Sequence, residues 1–535
     1  QAGDTIVVPS NTQSTFSLLI NGVLDLGQTS GHSFGTVSGT GTMKITNDNL
    51  QFNIPSGNFN SFGCYATSPQ GNPVTSGGTG GTIEYNNWAN VPFTLPSNFL
   101  TYFNLTVNST GSGEIDFPAS ASDLYINGNL NIKKGSFINA SAGINDITCY
   151  GDLTLSTGGI FDNMTNDFNL YGNLINNSGK NSYKSLSNTN ICGFNDQSIK
   201  GSKSSTFAYL NLSNSNKYFS DSIFVNNDLS ITNSGTTLVD SGNVVNVKGN
   251  WSNAGFSTLT GTTIFNNNGA QSVSGNSQTA FQNLILGNGS KSYATTPPSE
   301  LIVNGNLLIN SGGILNIGSV NMHIFGNWTN NNSSAALVST SNSCVNFEGI
   351  NQKVLGSSGT NFNYLTFNSS LSSSNDTLSA NISVGRDLIF TQGNVITKNQ
   401  NLVVKGNWIN NSSATAFSSV SATDTVILNG SSQNIDGAYP TTFNNLNISN
   451  GTKTLNNISY INVMRGMIVE TGGLLSYLGK QIYHYGDLTN NGNTTSLGNT
   501  GQAGTYILKG VNQTIKGTSP TNFLNLNVDG GGVKT

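Results

Sequence analysis

Any chemistry run by this chain draws on few side chains. There are five glutamates (Glu84, Glu114, Glu300, Glu348, Glu470), two arginines (Arg386, Arg465) and three histidines (His32, His323, His484). Sites that cleave polysaccharides need clustered Asp/Glu with Lys or Arg beside them, for acid/base work or metal binding. Here the glutamates are scattered and no Asp-x-Asp pair occurs. The densest acidic stretch, Asp146, Asp152, Asp162 and Asp167, reads as solvated turn carboxylates. His323 and His484 precede Gly-Asn/Asp pairs by three and two residues, so they fall on opposite faces of their strands and share no role. The cysteines (Cys64, Cys149, Cys192, Cys344) lie far apart without CxxC or Cys/His spacing, which argues against a disulfide framework or a zinc site. No catalytic residue, cofactor or metal ligand is therefore expected. Trp251, Trp328 and Trp408 share one position, and two readings compete for them. They are a surface aromatic row for stacking sugars, or they wedge a wide corner; Leu174 and Leu488 at the outer copies favour packing.

The elements that must position these residues are strands. Only 8% of the chain is charged, against about 25% in a typical soluble protein, while Gly alone supplies 63 residues. Gly, Asn, Ser and Thr are poor helix formers, and the aliphatic residues come in short alternating runs. With 27 Phe and 17 Tyr the chain has enough apolar surface to fold. A net charge of −4 leaves no footprint for nucleic acid, and no apolar run approaches the ~20 residues of a membrane-spanning segment. The start at Gln1 reads as a mature terminus left after signal cleavage, which implies export.

Three elements recur in fixed order. A Gly-Asn/Asp-aromatic/Leu triplet stands at Gly172, Gly249, Gly326, Gly406 and Gly486, at intervals of 77 to 80 residues. Gln-x-hydrophobic-x-Gly follows at Gln197, Gln271, Gln433 and Gln513, with a looser copy at Gln352. Phe-x-x-Leu-x-hydrophobic comes next, at Phe207, Phe281, Phe362, Phe443 and Phe523. An 80-residue period fits tandem immunoglobulin-like β-sandwiches or a solenoid. A nested copy decides: Gly305 precedes Gly326, Gly385 precedes Gly406 and Gly466 precedes Gly486 by 20 or 21 residues. The unit is then a rung of ~20 residues, four to each long repeat. The expected fold is an all-β, right-handed parallel β-helix, with residues 1–75 as a capping region and first rungs and 76–535 as one continuous coil. About 26 rungs at ~4.8 Å make a rod on the order of 120 Å, with every fourth rung alike and Arg386 and Arg465 ~19 Å apart along it. The chain stops inside a repeat, as expected of a fragment.

Thr82-Ile83-Glu84-Tyr85 through Leu105, together with the later Gln…Gly…Phe-x-x-Leu copies, resembles the repeats of very large surface proteins of Bacteroidota, among them gliding-motility adhesins exported by the type IX secretion system. The resemblance covers nearly all of the chain from about residue 80. It implies a secreted cell-surface protein on the outer-membrane exterior. Its partners would be extracellular glycans or surfaces and the secretion and anchoring machinery. It also implies O-glycosylation at Asp-Ser/Thr, matched here by Thr5, Ser222, Thr377 and Thr425. The expected function is thus a structural or adhesive rod, with a polysaccharide-degrading β-helix enzyme as the alternative.

Overall fold

The computed structural model describes residues 5–10, 13–14, 18–27, 29, 32–34, 37–46, 80–87, 92–95, 97, 99–110, 113–117, 122–139, 145–295, 300–340, 342–477, 479–498 and 503–535. Among these there is no helix. The strands pair in parallel, each with the strand one turn before and one turn after, and build a β-solenoid of about 21 turns. That rules out the sandwich alternative, whose sheets are antiparallel. The expected boundary near residue 75 and Cys64 lie outside the described residues. By compactness the chain divides into one unit of residues 1–264 and 274–277 and a second of residues 265–273 and 278–535.

Alternation drives both units. In the first, Leu124, Ile147, Phe168, Thr189, Leu210, Leu229 and Trp251 stack in register one turn apart, and all are fully buried. Their neighbours Tyr125, Thr148, Asn169, Asn190, Asn211, Ser230 and Ser252 point outward, as the two-residue period of a strand requires. In the second unit the matching column is Leu301, Met322, Val345, Leu365, Leu388, Trp408, Ile435 and Leu455. Its members are 20 to 27 residues apart, so turns carry loops of unequal length. Such longer turns, together with the 40-residue step from Thr42 to Thr82, bring the number to about 21 where a strict 20-residue rung gives 26.

The recurring motifs are polar clamps between turns. The Asn or Asp of the triplet accepts the backbone N–H of the equivalent residue one turn on: Asp152 N–H to Asn129 Oδ1 at 2.8 Å, Asn173 N–H to Asp152 Oδ1 at 2.6 Å, and Asn327 N–H to Asn306 Oδ1 at 2.9 Å. Asp or Asn serves in this bond because it uses only the acceptor oxygen, although Asn173 Nδ2 also donates to Asp152 Oδ1 at 3.0 Å. The motif glutamine is buried. Gln352 Oε1 accepts Gly349 N–H at 2.6 Å, while its Nε2 donates to the carbonyls of Ile324 and Gly326 at 2.9 and 2.6 Å. Gln197, Gln433 and Gln513 repeat this clamp on their own turns. The glycine that ends the motif, such as Gly437, has φ +124° and would bring a Cβ within 2.2 Å of the Asn410 carbonyl oxygen. Only glycine fits there.

The long repeat does not return to the same face. In the second unit successive strands go in rotation to three sheets: Leu301–Val303 and Met322–Ile324 to one, Leu307–Ile309 and Trp328–Asn330 to another, Gly313–Gly318 and Leu337–Ser339 to the third. Among the described residues the strand Trp408–Asn410 is the eleventh after Trp328–Asn330, and Leu488–Asn490 the eleventh after that. Eleven is not a multiple of three, so these copies fall in three different sheets. The expectation that every fourth rung is decorated alike along one face is corrected accordingly. Arg386 and Arg465 part company for the same reason. Arg386 joins Ile382–Val384 to Leu388–Gln392, whereas Arg465 joins Tyr460–Val463 to Met467–Val469, a different corner.

Candidate functional site

The three indoles form no surface row. Trp251, Trp328 and Trp408 are each 0% exposed, and Trp328 and Trp408 sit in different sheets. Trp328 and Trp408 donate Nε1–H to Thr360 and Thr441 Oγ1, both at 3.1 Å, and pack among phenylalanines. Burial of a large apolar ring outweighs anything it gains by facing solvent. The packing reading holds and the sugar-stacking row is withdrawn.

The histidines are likewise apart. His484 is fully buried, and a carbonyl can only accept, so Nε2–H donates to Arg465 O at 2.8 Å and Nδ1 accepts from Tyr506 O–H at 2.7 Å. Burial pushes its pKa down to about 4 from the ordinary 6.5. The unfolded chain therefore takes up this proton below pH 6.5 and the folded one does not until about 4, so His484 contributes stability above pH 6.5 that is lost between 6.5 and 4. Urea unfolding at pH 7 and pH 4.5 is expected to show the loss, on the order of 3 kcal/mol when complete, and His484→Gln to lack this share of it. His323 lies on an outer face, with Nδ1 3.0 Å from Glu348 Oε2 and Nε2 3.4 Å from Glu300 Oε1. His32 is buried and stacks on Phe34. Of the cysteines, Cys149 is buried and Cys192 and Cys344 are half-buried free thiols.

The acidic stretch is ordered into a surface. Three successive strands of the first unit present residues i, i+2 and i+4 outward: Asp123, Tyr125 and Asn127; Asp146, Thr148 and Tyr150; Asp167, Asn169 and Tyr171. The middle column is an amide ladder, in which Asn190 Nδ2 donates to Asn169 Oδ1 at 2.8 Å and Asn211 Nδ2 to Asn190 Oδ1 at 2.9 Å. On one side the carboxylates form their own ladder, each taking the N–H of the next turn: Asp146 N–H to Asp123 Oδ1 at 2.9 Å and Asp167 N–H to Asp146 Oδ1 at 3.0 Å. Burial holds the Asp146 carboxyl above its ordinary value, and the neighbouring carboxylates add to the rise. On the other side Tyr150 and Tyr171 stack, with ring centroids 4.9 Å apart and planes 27° apart. Asn169 and Asn190 each keep one N–H and one lone pair for an outside partner, whereas Asn211 spends both its N–H groups on Asn190 and Asn188. The result is a half-exposed grid of neutral hydrogen-bonding groups between phenols and carboxylates. Asp162 stands apart, 3.7 Å from Lys184.

Sequence reasoning missed one carboxylate pair, because it searched only for Asp-x-Asp. Glu114-Ile115-Asp116 turns Ile115 inward and both acids outward from one strand. Burial, and then the hydrogen bond and charge of Glu114, push Asp116 up to about 7. Among the described residues no three His, Cys, Asp or Glu side chains group as a metal site, and no helix is long and apolar enough to cross a membrane.

The O-glycosylation positions are dispersed. Thr5 is exposed, while Ser222, Thr377 and Thr425 are half-buried. The aspartates before Thr377 and Thr425 are buried and occupied: Asp376 Oδ1 accepts Gln352 N–H at 2.8 Å, and Asp424 Oδ1 accepts Gln400 N–H at 2.7 Å. No family model matches the chain, and no curated protein or solved structure matches it.

Proposed function

We propose that the chain is a secreted, rod-like structural and adhesive protein of the cell surface, whose outward faces hold extracellular glycans and which extends or presents an adhesin, as in surface attachment or gliding motility. The observation that carries this reading is the grid on residues 123–211. It offers regularly spaced amides, hydroxyls and phenols, the complement of a sugar's hydroxyl-rich edges and apolar face. A glycan array probed with the intact chain is expected to give binding that Tyr150→Ala with Tyr171→Ala abolishes. An array on which that double variant binds like the parent counts against the grid. Export by the type IX route and membership of the Bacteroidota surface proteins belong to the same proposal. It rests on the repeat motifs.

The polysaccharide-degrading alternative has one observation in its favour, the Glu114/Asp116 pair on one strand face, where burial and Glu114 push Asp116 up to about 7. A general acid paired with a carboxylate is what glycoside hydrolysis uses. It predicts cleavage that Glu114→Gln or Asp116→Asn removes.

A further inference from the structure

Several repeats bury a lysine at a place that the Gln motif marks. Gln197 pairs in register with Lys217, Gln433 with Lys453, and Gln513 bridges to Lys534, 20 or 21 residues on. Lys291 stands 20 residues after Gln271. Lys217, Lys291 and Lys453 are 1%, 2% and 0% exposed; Lys534, in the last described turn, is half-exposed.

No carboxylate holds these ammonium groups. Lys453 Nζ donates to the carbonyls of Gly430 (2.6 Å), Ser449 (3.0 Å) and Asn450 and lies 3.4 Å from that of Gly451. Lys291 Nζ donates to Asn267 O at 2.8 Å and to Asn288 O, and Lys534 Nζ to Gly510 O and, at 3.0 Å, Gly531 O. Lys217 Nζ donates to Gly193 O at 2.9 Å and Ser215 Oγ at 3.0 Å. In each case one carbonyl belongs to the turn below, just before the motif glutamine; in Lys291, Lys453 and Lys534 the others belong to the lysine's own turn.

The fifth copy supplies the control. Asp376 replaces lysine there, 24 residues after Gln352, and the longer loop brings different groups to the corner. Gln352 N–H, Ser369 Oγ–H at 2.8 Å and Ser374 Oγ–H at 3.3 Å all donate to the Asp376 carboxylate. Where the corner is lined by acceptors the chain places a cation, and where it is lined by donors it places an anion. The position answers to polarity, not to volume.

We propose that the corner above Gln197, Gln271, Gln433 and Gln513 is an ammonium-binding site, filled from within by lysine, and that the headgroup, not the aliphatic stem, is what the corner requires. Burial draws Lys217, Lys291 and Lys453 each down to about 8, at Lys217 against the opposing charges of Cys192 and Asp196, which fits headgroups held by neutral oxygens. A primary ammonium supplies three donors directed at three oxygens, which no neutral side chain of that length does.

The test uses the full chain. Lys453→Met keeps the stem and is expected to lower the thermal transition of the second unit by about 5 °C or more. Lys453→Ala is expected to fall further and to recover on addition of n-propylammonium but not of n-propanol, which has the same length without the charge. If Lys453→Met does not fold, Lys453→Gln, which keeps N–H donors, is expected to fold with a smaller shift. The proposal is overturned if Lys453→Met melts with the parent, if n-propanol restores the alanine variant as well as n-propylammonium does, or if Lys453→Gln loses as much as Lys453→Met.

Discussion

Replacing Trp408 with alanine is expected to destabilise the second unit by about 3–5 kcal/mol while leaving glycan binding unchanged. The indole is fully buried, and its ring centroid lies 5.0 Å from Phe390, 4.9 Å from Phe417 and 4.9 Å from Phe443. Truncation removes the largest side chain of that corner and leaves Thr441 Oγ1 without its Nε1–H donor. The rings around it are held by the turns above and below, so the space cannot close without moving backbone. Urea unfolding of the parent and the variant measures the loss. A variant with parental stability and impaired glycan binding would restore the tryptophan to the surface role that its burial denies it.

The second large effect falls on Gln433. Its Oε1 accepts Gly430 N–H at 2.6 Å and its Nε2 donates to Val404 O at 2.9 Å and to Gly406 O. Leucine is one atom shorter and has no polar atom, so Gln433→Leu removes a hydrogen bond from each of three main-chain groups at once, of which Val404 O keeps its bond from Asn429 N–H. At about 1 kcal/mol or more for each group the expected cost is about 3 kcal/mol. Gln433→Glu is expected to be worse, because a carboxylate keeps the acceptor but turns an anion toward two carbonyl oxygens. If leucine proves neutral by urea midpoint at unchanged slope, the clamp contributes little and the motif needs another explanation.

Much of the fold was legible because its devices are short. The nested Gly-Asn copies at Gly305 and Gly326 mark the turn, and the alternation around Val303, Leu307 and Ile309 marks the buried face, which the structure bears out. What the Asn and Gln do was not legible. Their partners lie 21 to 29 residues away, on the neighbouring turn, and only register identifies them. The rotation of the repeat was hidden for a related reason. A period near 80 residues suggests four equal rungs, whereas eleven strands over three sheets give a fractional number of turns, and the loop after Trp408 stretches one turn to 27 residues. The lysines were within reach, since each follows its glutamine by 20 or 21 residues. A lysine in a polar stretch gives no sign of burial by itself. The grid on residues 123–211 was half visible: Asp146 and Asp167 were noticed, but the tyrosines and asparagines two and four positions on become neighbours only once the strands are stacked.

The reading as a structural adhesin and not an enzyme meets its most direct test in one incubation. The intact chain is mixed with a panel of soluble polysaccharides at neutral pH, and the polysaccharide retained and the new chain ends formed are counted together. The account predicts retention of at least one polysaccharide with no rise in chain ends over buffer. Chain ends that accumulate with time and vanish in Glu114→Gln or Asp116→Asn would contradict it, and would make the Glu114/Asp116 pair a catalytic site.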